Sequence, residues 1–109
     1  MRINFTFRHL DPSDGIKAHA SEKIARLQKY LRAPLTAEVI VSTERHLHHA
    51  DISVHCEGHR YAATEESEDM YASIDKVLDK IDRQVRSHKD AINTKKRHAH
   101  ESVHLGKHV

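Results

Sequence analysis

The segment Arg2–Arg32, RINFTFRHLDPSDGIKAHASEKIARLQKYLR, changes its hydrophobic period part-way along, and that change decides the fold. From Arg2 to Arg8 the residues alternate, with Ile3, Phe5 and Phe7 on one face and Asn4, Thr6 and Arg8 on the other, as in a half-buried strand. Asp11-Pro12-Ser13-Asp14 then reads as a helix start, with Ser13 the N-cap and Asp14 near the positive end of the helix dipole. Ile16, Ala20, Ile24, Leu27 and Leu31 recur at helical spacing, so a helix is expected to about Arg32, where Pro34 bars continuation. A strand that feeds a helix and then a second strand is expected to pair with it in parallel through a right-handed crossover.

Beyond Leu35 the period returns to two. Ala37, Val39, Val41 and Thr43 oppose Glu38, Ser42 and Glu44, and Ile52, Val54 and Cys56 oppose Asp51, Ser53, His55 and Glu57. His46, His48 and His49 are expected together in the intervening loop. Gly58-His59 predicts a tight turn into a short strand over 60–65, completing an antiparallel meander. A long helix starts near Asp69 and carries Ile74, Val77, Leu78, Ile81, Val85, His88 and Ile92 on one stripe. The order β-α-β-β-β-α, with one apolar face per element, predicts an α+β fold: a four-stranded sheet with two helices on one face. The other sheet face is expected to be polar, rather acidic and wet. The expected domain is 1–93, followed by a flexible His-rich basic tail over 94–109.

The 109 residues suit a single domain. Cys56 is the lone cysteine, which allows no internal disulfide and fits a reducing compartment. The first ten residues lack the apolar run of a signal peptide or membrane span, so the expected location is the cytoplasm, with no membrane partner. The formal net charge of +2 conceals an uneven distribution. Residues 1–34 hold seven Lys/Arg against three Asp/Glu, residues 35–75 two against nine, and residues 76–109 nine against four. Basic segments at both ends of an acidic middle make an electrostatic dipole suited to a polyanion.

On the second helix the polar side divides into two stripes. Lys76, Lys80 and Arg83 lie opposite the core stripe; Asp75, Asp79 and Asp82 lie on the adjacent flank, where Asp82 can pair with Arg86. On the first helix Lys23, Arg26 and Tyr30 share one flank of the apolar stripe, with Lys29 nearby. One such helix is an ordinary solvated surface. Two on the same sheet face are expected to form a continuous positive ridge and groove able to meet RNA phosphates. With five aromatic residues in the chain, and Phe5 and Phe7 directed to the core, recognition of backbone and shape is favoured over base stacking.

Catalytic signatures are missing: there is no Gly-rich phosphate loop and no GxSxG, and Cys56 reads as an inward strand residue. The chain is therefore expected not to be an enzyme and to need no cofactor. Its twelve histidines carry no Cys pair, HExxH or Cx2C spacing, so no metal site is assigned. His100, His104 and His108 would share a face only if the tail were helical. Histidines near RNA are better read as positive charge that grows as pH falls.

The stretch EDMYASIDKVLDKIDRQVRSHKD, Glu68 to Asp90, resembles the corresponding helix of the ribosome hibernation-promoting factor and ribosome-associated inhibitor family. The match is carried by Asp69-Met70-Tyr71, Ile74-Asp75, Asp79-Lys80, Arg83-Gln84 and His88-Lys89-Asp90, and EKIARLQKYL, Glu22 to Leu31, supports it. The resemblance covers about residues 1–92. It implies a fold similar to double-stranded-RNA-binding domains and a partner in the small ribosomal subunit and its ribosomal RNA. It further implies that the chain sits between head and body of that subunit, competes with messenger and transfer RNA, and silences ribosomes under stress or in stationary phase. The RNA-facing basic positions carry over to Lys23, Arg26, Lys29, Lys76, Lys80, Arg83, Arg86 and Lys89; Ser87 stands where some relatives have lysine. The length matches the short form, expected to be a monomer away from the ribosome. Two other readings are a generic structured-RNA-binding or ribosome-assembly module, and a His-rich metal-responsive protein.

Overall fold

The alternation at the N-terminus forms strand β1 (Arg2–Arg8), and the sheet is completed by β2 (Thr36–Glu44), β3 (Leu47–Cys56) and β4 (His59–Ser67). The computed structural model describes the backbone of residues 1–101 and the side chains of residues 1–88. The strands lie in the order β1-β2-β3-β4, with β1 parallel to β2 and the other neighbours antiparallel. Helix α1 (Asp14–Leu27) links the parallel pair, and α2 (Met70–Glu101) follows β4. This is the α+β order that the change of period predicts.

Pairing places Ile3, Ala37, Val54 and Tyr61 in one inward row and Phe5, Val39, Ile52 and Ala63 in the next. Ile16, Ala20, Ile24 and Leu27 of α1, and Ile74, Val77, Leu78, Ile81 and Val85 of α2, are buried in one cluster with these strands. Both helices therefore share one sheet face. Cys56 is buried on the same side, and its thiol donates to the Ala33 carbonyl oxygen at 3.4 Å.

Local chemistry sets the element ends. The Ser13 hydroxyl oxygen accepts from the Ile16 N–H at 3.1 Å, with Asp14 in the first turn of α1. Asp69 caps α2, its carboxylate accepting from the Tyr71 N–H at 3.3 Å and its carbonyl from the Ser73 N–H at 3.0 Å. The buried Ser73 hydroxyl donates to the His48 carbonyl oxygen at 2.7 Å and ties the start of α2 to β3. Glu57 and Gly58, at φ of 52° and 81°, make the tight turn between β3 and β4.

Several expectations are corrected. The first helix ends at Leu27, and a 3-10 turn over Gln28–Tyr30 replaces its last helical residues. Gln28 causes this: its side-chain amide donates to the Ala33 carbonyl oxygen at 2.8 Å, and its oxygen accepts from the Leu35 N–H at 2.9 Å. The chain is thus drawn into β2 before Pro34 has any part in stopping the helix. The β2–β3 connection is only Arg45 and His46, so His48 and His49 stand in a strand on opposite sheet faces. The fourth strand is longer than expected, and α2 continues past residue 93 to Glu101, across a segment with no Pro or Gly. The rest of the tail, including His104 and His108, lies outside the described residues. The open sheet face is polar and carries Glu38, Glu44, Asp51 and Glu66 against Arg2, Arg8 and Arg60, so it is slightly acidic as expected.

Replacing Gln28 leaves backbone groups of the 31–35 connection without partners. Gln28→Ala is expected to lower stability by about 1–3 kcal/mol in urea denaturation, with an unchanged slope of stability on denaturant.

Candidate nucleic-acid interface

The arrangement of the helices follows from side chains at their contact. A Cβ added at Gly15 would stand 2.6 Å from the Tyr71 hydroxyl, so the absence of a side chain lets the start of α1 approach α2 closely. One turn on, the His19 ring meets Tyr71 edge-on with centroids 5.0 Å apart. His19 also donates to the Asp75 carboxylate at 2.7 Å, and the Lys23 ammonium lies 3.3 Å from the same oxygen. Contacts that advance together along both helices mean that α1 and α2 run parallel.

Partial burial alone would push the Asp75 carboxyl up. Hydrogen bonds from His19 and Lys23, and their positive charge, outweigh it and hold the group below its ordinary value. Asp75 is a clamp across the helix pair. Further along, Asp82 lies on the same flank of α2 and pairs with Arg86 at 2.9 Å. The flank of α2 that faces α1 is therefore acidic, and it meets the basic flank of α1 formed by His19, Lys23 and Arg26.

This geometry revises the expected uninterrupted ridge. Lys23 points into the interhelical groove and is held by Asp75, while Arg26 is exposed and lies 3.5 Å from Glu22. Lys29 is exposed in the 3-10 turn. On α2, Lys76 and Arg83 rise on the crest, whereas Lys80 leans away from α1 to bond Glu65 of β4. That hydrogen bond, with the charge of Lys80 and Lys76, holds the Glu65 carboxyl below its usual range. Two cationic tracks thus run along one helical layer with Asp75, Asp79 and Asp82 between them. The side chain of Lys89 lies outside the described residues.

Lys29, Lys76 and Arg83 have no ion-pair partner among the described residues. The partners of Lys23, Arg26, Lys80 and Arg86 are at least partly exposed carboxylates. Exposed pairs of this kind contribute only about 0–1 kcal/mol, so a phosphate can displace them at little cost.

Residues 3–93 match the family model described as sigma 54 modulation protein / S30EA ribosomal protein. The chain belongs to that family. Over 90 residues it is 34% identical to a ribosome hibernation promoting factor of Azotobacter vinelandii, covering 83% of this chain and 84% of the relative. It is 30% identical over 92 residues to the factor of that name in Escherichia coli K12, covering 84% of this chain and 97% of the relative. Among solved structures, the N-terminal domain of Thermus thermophilus Protein Y superposes with a TM-score of 0.75 at 31% identity, covering 81% of this chain and 99% of that one. A ribosomal subunit interface protein from Coxiella burnetii shares the fold, with a TM-score of 0.71 at 22% identity over 83% of this chain and 99% of that one.

The S30EA match ends at residue 93, where the sequence also changes character, and it contains all eight candidate basic positions. Sequence reasoning missed the clamp. The signal was available in the spacing of His19, Lys23 and Arg26 against Asp75 and Asp82, two flanks of opposite sign on helices that share a sheet face. His55 lies on the open face, while His59 lies inward with its ring centroid 4.1 Å from that of His88. Among the described residues no group of three or more His, Cys, Asp or Glu is placed to hold a metal ion. Nor is any described helix long and apolar enough to cross a membrane.

Because the Asp75 carboxyl is depressed in the fold, its contribution is present above the ordinary aspartate range and is lost as pH falls through the folded value. Asp75→Asn should therefore reduce stability at neutral pH and flatten the loss of stability between about pH 5 and 2. Urea titrations across that range check both effects.

Proposed function

We propose that this chain is a ribosome hibernation factor that binds the small ribosomal subunit in the channel used by messenger and transfer RNA and blocks translation in stress or stationary phase. Membership of the S30EA family and relatives named ribosome hibernation promoting factor support the ribosomal role. The observation that carries the mechanism is the helical layer itself, with Lys29, Lys76 and Arg83, which have no ion-pair partner among the described residues, beside weakly held Lys23, Arg26, Lys80 and Arg86.

Folded RNA presents its phosphates at the edges of grooves. Two parallel helices carrying separated cationic tracks can meet two such edges at once, and counterion release supplies most of the affinity. Asp75, Asp79 and Asp82 between the tracks disfavour a phosphate in the groove floor and so give the surface a register. Occupying the channel with a folded body requires no bond to be made or broken. The mechanism is steric exclusion of messenger and transfer RNA combined with phosphate neutralisation.

A generic structured-RNA module would use the same surface, and competition separates the two. The chain should cosediment with purified small subunits and be displaced by transfer RNA; equal affinity for an arbitrary RNA duplex would favour the generic module. Lys76→Glu with Arg83→Glu, two exposed positions, should weaken subunit binding at least tenfold. The slope of log affinity on log salt should become shallower by about two, with the circular dichroism spectrum unchanged. Undiminished binding would assign the wrong surface.

A further inference from the structure

One end of the sheet face turned away from the helices carries a second group of cations. Strand pairing sets Arg2, Thr36, His55 and Arg60 side by side across all four strands, each exposed and each on the outer face. With neighbouring strands about 4.8 Å apart, the row spans about 14 Å from Arg2 to Arg60. The backbone of its outer end is pinned, because the Arg2 N–H donates to the Leu35 carbonyl oxygen at 3.1 Å. Lys23, Arg26, Lys80 and Arg86 of the helical layer have internal carboxylate partners, whereas Arg2, His55 and Arg60 have none within ion-pair distance among the described residues. The acids nearest in the pairing pattern are Glu38, one row inward, and Glu57, in the adjoining turn.

We propose that the row Arg2-Thr36-His55-Arg60 is a second RNA-binding site that takes a stretch of phosphodiester backbone on the face opposite the helices. The inference rests on the reading of the chain as a body inserted between RNA surfaces, to which it adds a contact with the opposing wall. Guanidinium forks at both ends suit phosphate oxygens, and the Thr36 hydroxyl and His55 imidazole add hydrogen-bonding groups between them. An acidic protein segment is the less suited occupant. The neighbouring row is Asn4, Glu38, Ser53 and Ala62, which offers no large apolar or aromatic anchor of the kind that stabilises protein interfaces. Stacked bases are equally unprovided for, because the outer positions hold no Phe, Tyr or Trp. The chemistry left is recognition of backbone charge.

The test uses the full chain carrying Arg2→Glu with Arg60→Glu, and a second variant with Arg2→Ala and Arg60→Ala that avoids placing new acids beside Glu38 and Glu57. Two probes are titrated over a salt series at low ionic strength: purified small ribosomal subunits and a single-stranded oligouridylate of about twenty nucleotides. Both variants should bind each probe at least fivefold more weakly than the parent chain, with a salt slope shallower by about one to two. Adding Lys76→Glu with Arg83→Glu should multiply the losses on subunits, as for independent faces. If both variants bind oligouridylate and subunits as the parent does, the row is not an RNA site, while the ribosomal reading stands. If they lose subunits but keep oligouridylate, the row touches a ribosomal protein and the assignment to RNA is overturned. If the parent binds oligouridylate through these arginines but ignores subunits, the row holds and the ribosomal reading fails.

Discussion

Because Ala37, Val39, Val41, Ala50, Ile52 and Val54 all point to one side of the sheet, α1 and α2 have only that side on which to bury their apolar stripes. The opposite face offers charged and hydroxyl side chains and could cover neither helix. Burial of aliphatic side chains, each contributing about 1.5–3 kcal/mol, therefore decides more than stability. It places the helices in one layer, and their polar flanks become neighbours whatever their charge. Asp75 then converts proximity into a defined arrangement, since one carboxylate satisfies His19 and Lys23 together.

Charge in this molecule is positioned without being consumed. Lys23, Arg26, Lys80 and Arg86 of the helical layer are steered by carboxylates that remain partly in water, where an ion pair orients a side chain but binds it weakly. Such pairs keep Lys80 against the sheet and Arg86 along its helix until a stronger anion arrives. β4 is the edge strand beside α2, and Gln84 accepts from the Ala62 N–H at 3.1 Å and donates to its carbonyl oxygen at 2.8 Å. This occupies backbone groups that would otherwise invite another strand. Part of one sheet edge is thus closed.

The order of elements, the inward strand residues and the N-cap of α1 were legible in the sequence because each depends on local chemistry: a period, or a hydroxyl at a helix start. Three features were less so. The end of α1 is set by Gln28 reaching seven residues forward to Leu35, which no helical period reports. The length of β3 was hidden by His48 and His49, polar residues that sit in a strand because Ser73 anchors the one backbone and Glu66 pairs with the other side chain. The basic stripes on each helix were visible, but their separation was not, since it depends on which flank each helix turns to the other. The row of Arg2, His55 and Arg60 was invisible to any one-dimensional reading, because only strand register brings those positions together.

The central claim is that the shared helical layer is the surface presented to ribosomal RNA. Electron cryomicroscopy of the chain bound to the small subunit tests it most directly. Density for the chain is expected between head and body, with the exposed sides of α1 and α2 against RNA backbone and Lys76 and Arg83 within contact distance of phosphates. A bound chain whose helices face solvent, or one seated outside the messenger and transfer-RNA path, would contradict it.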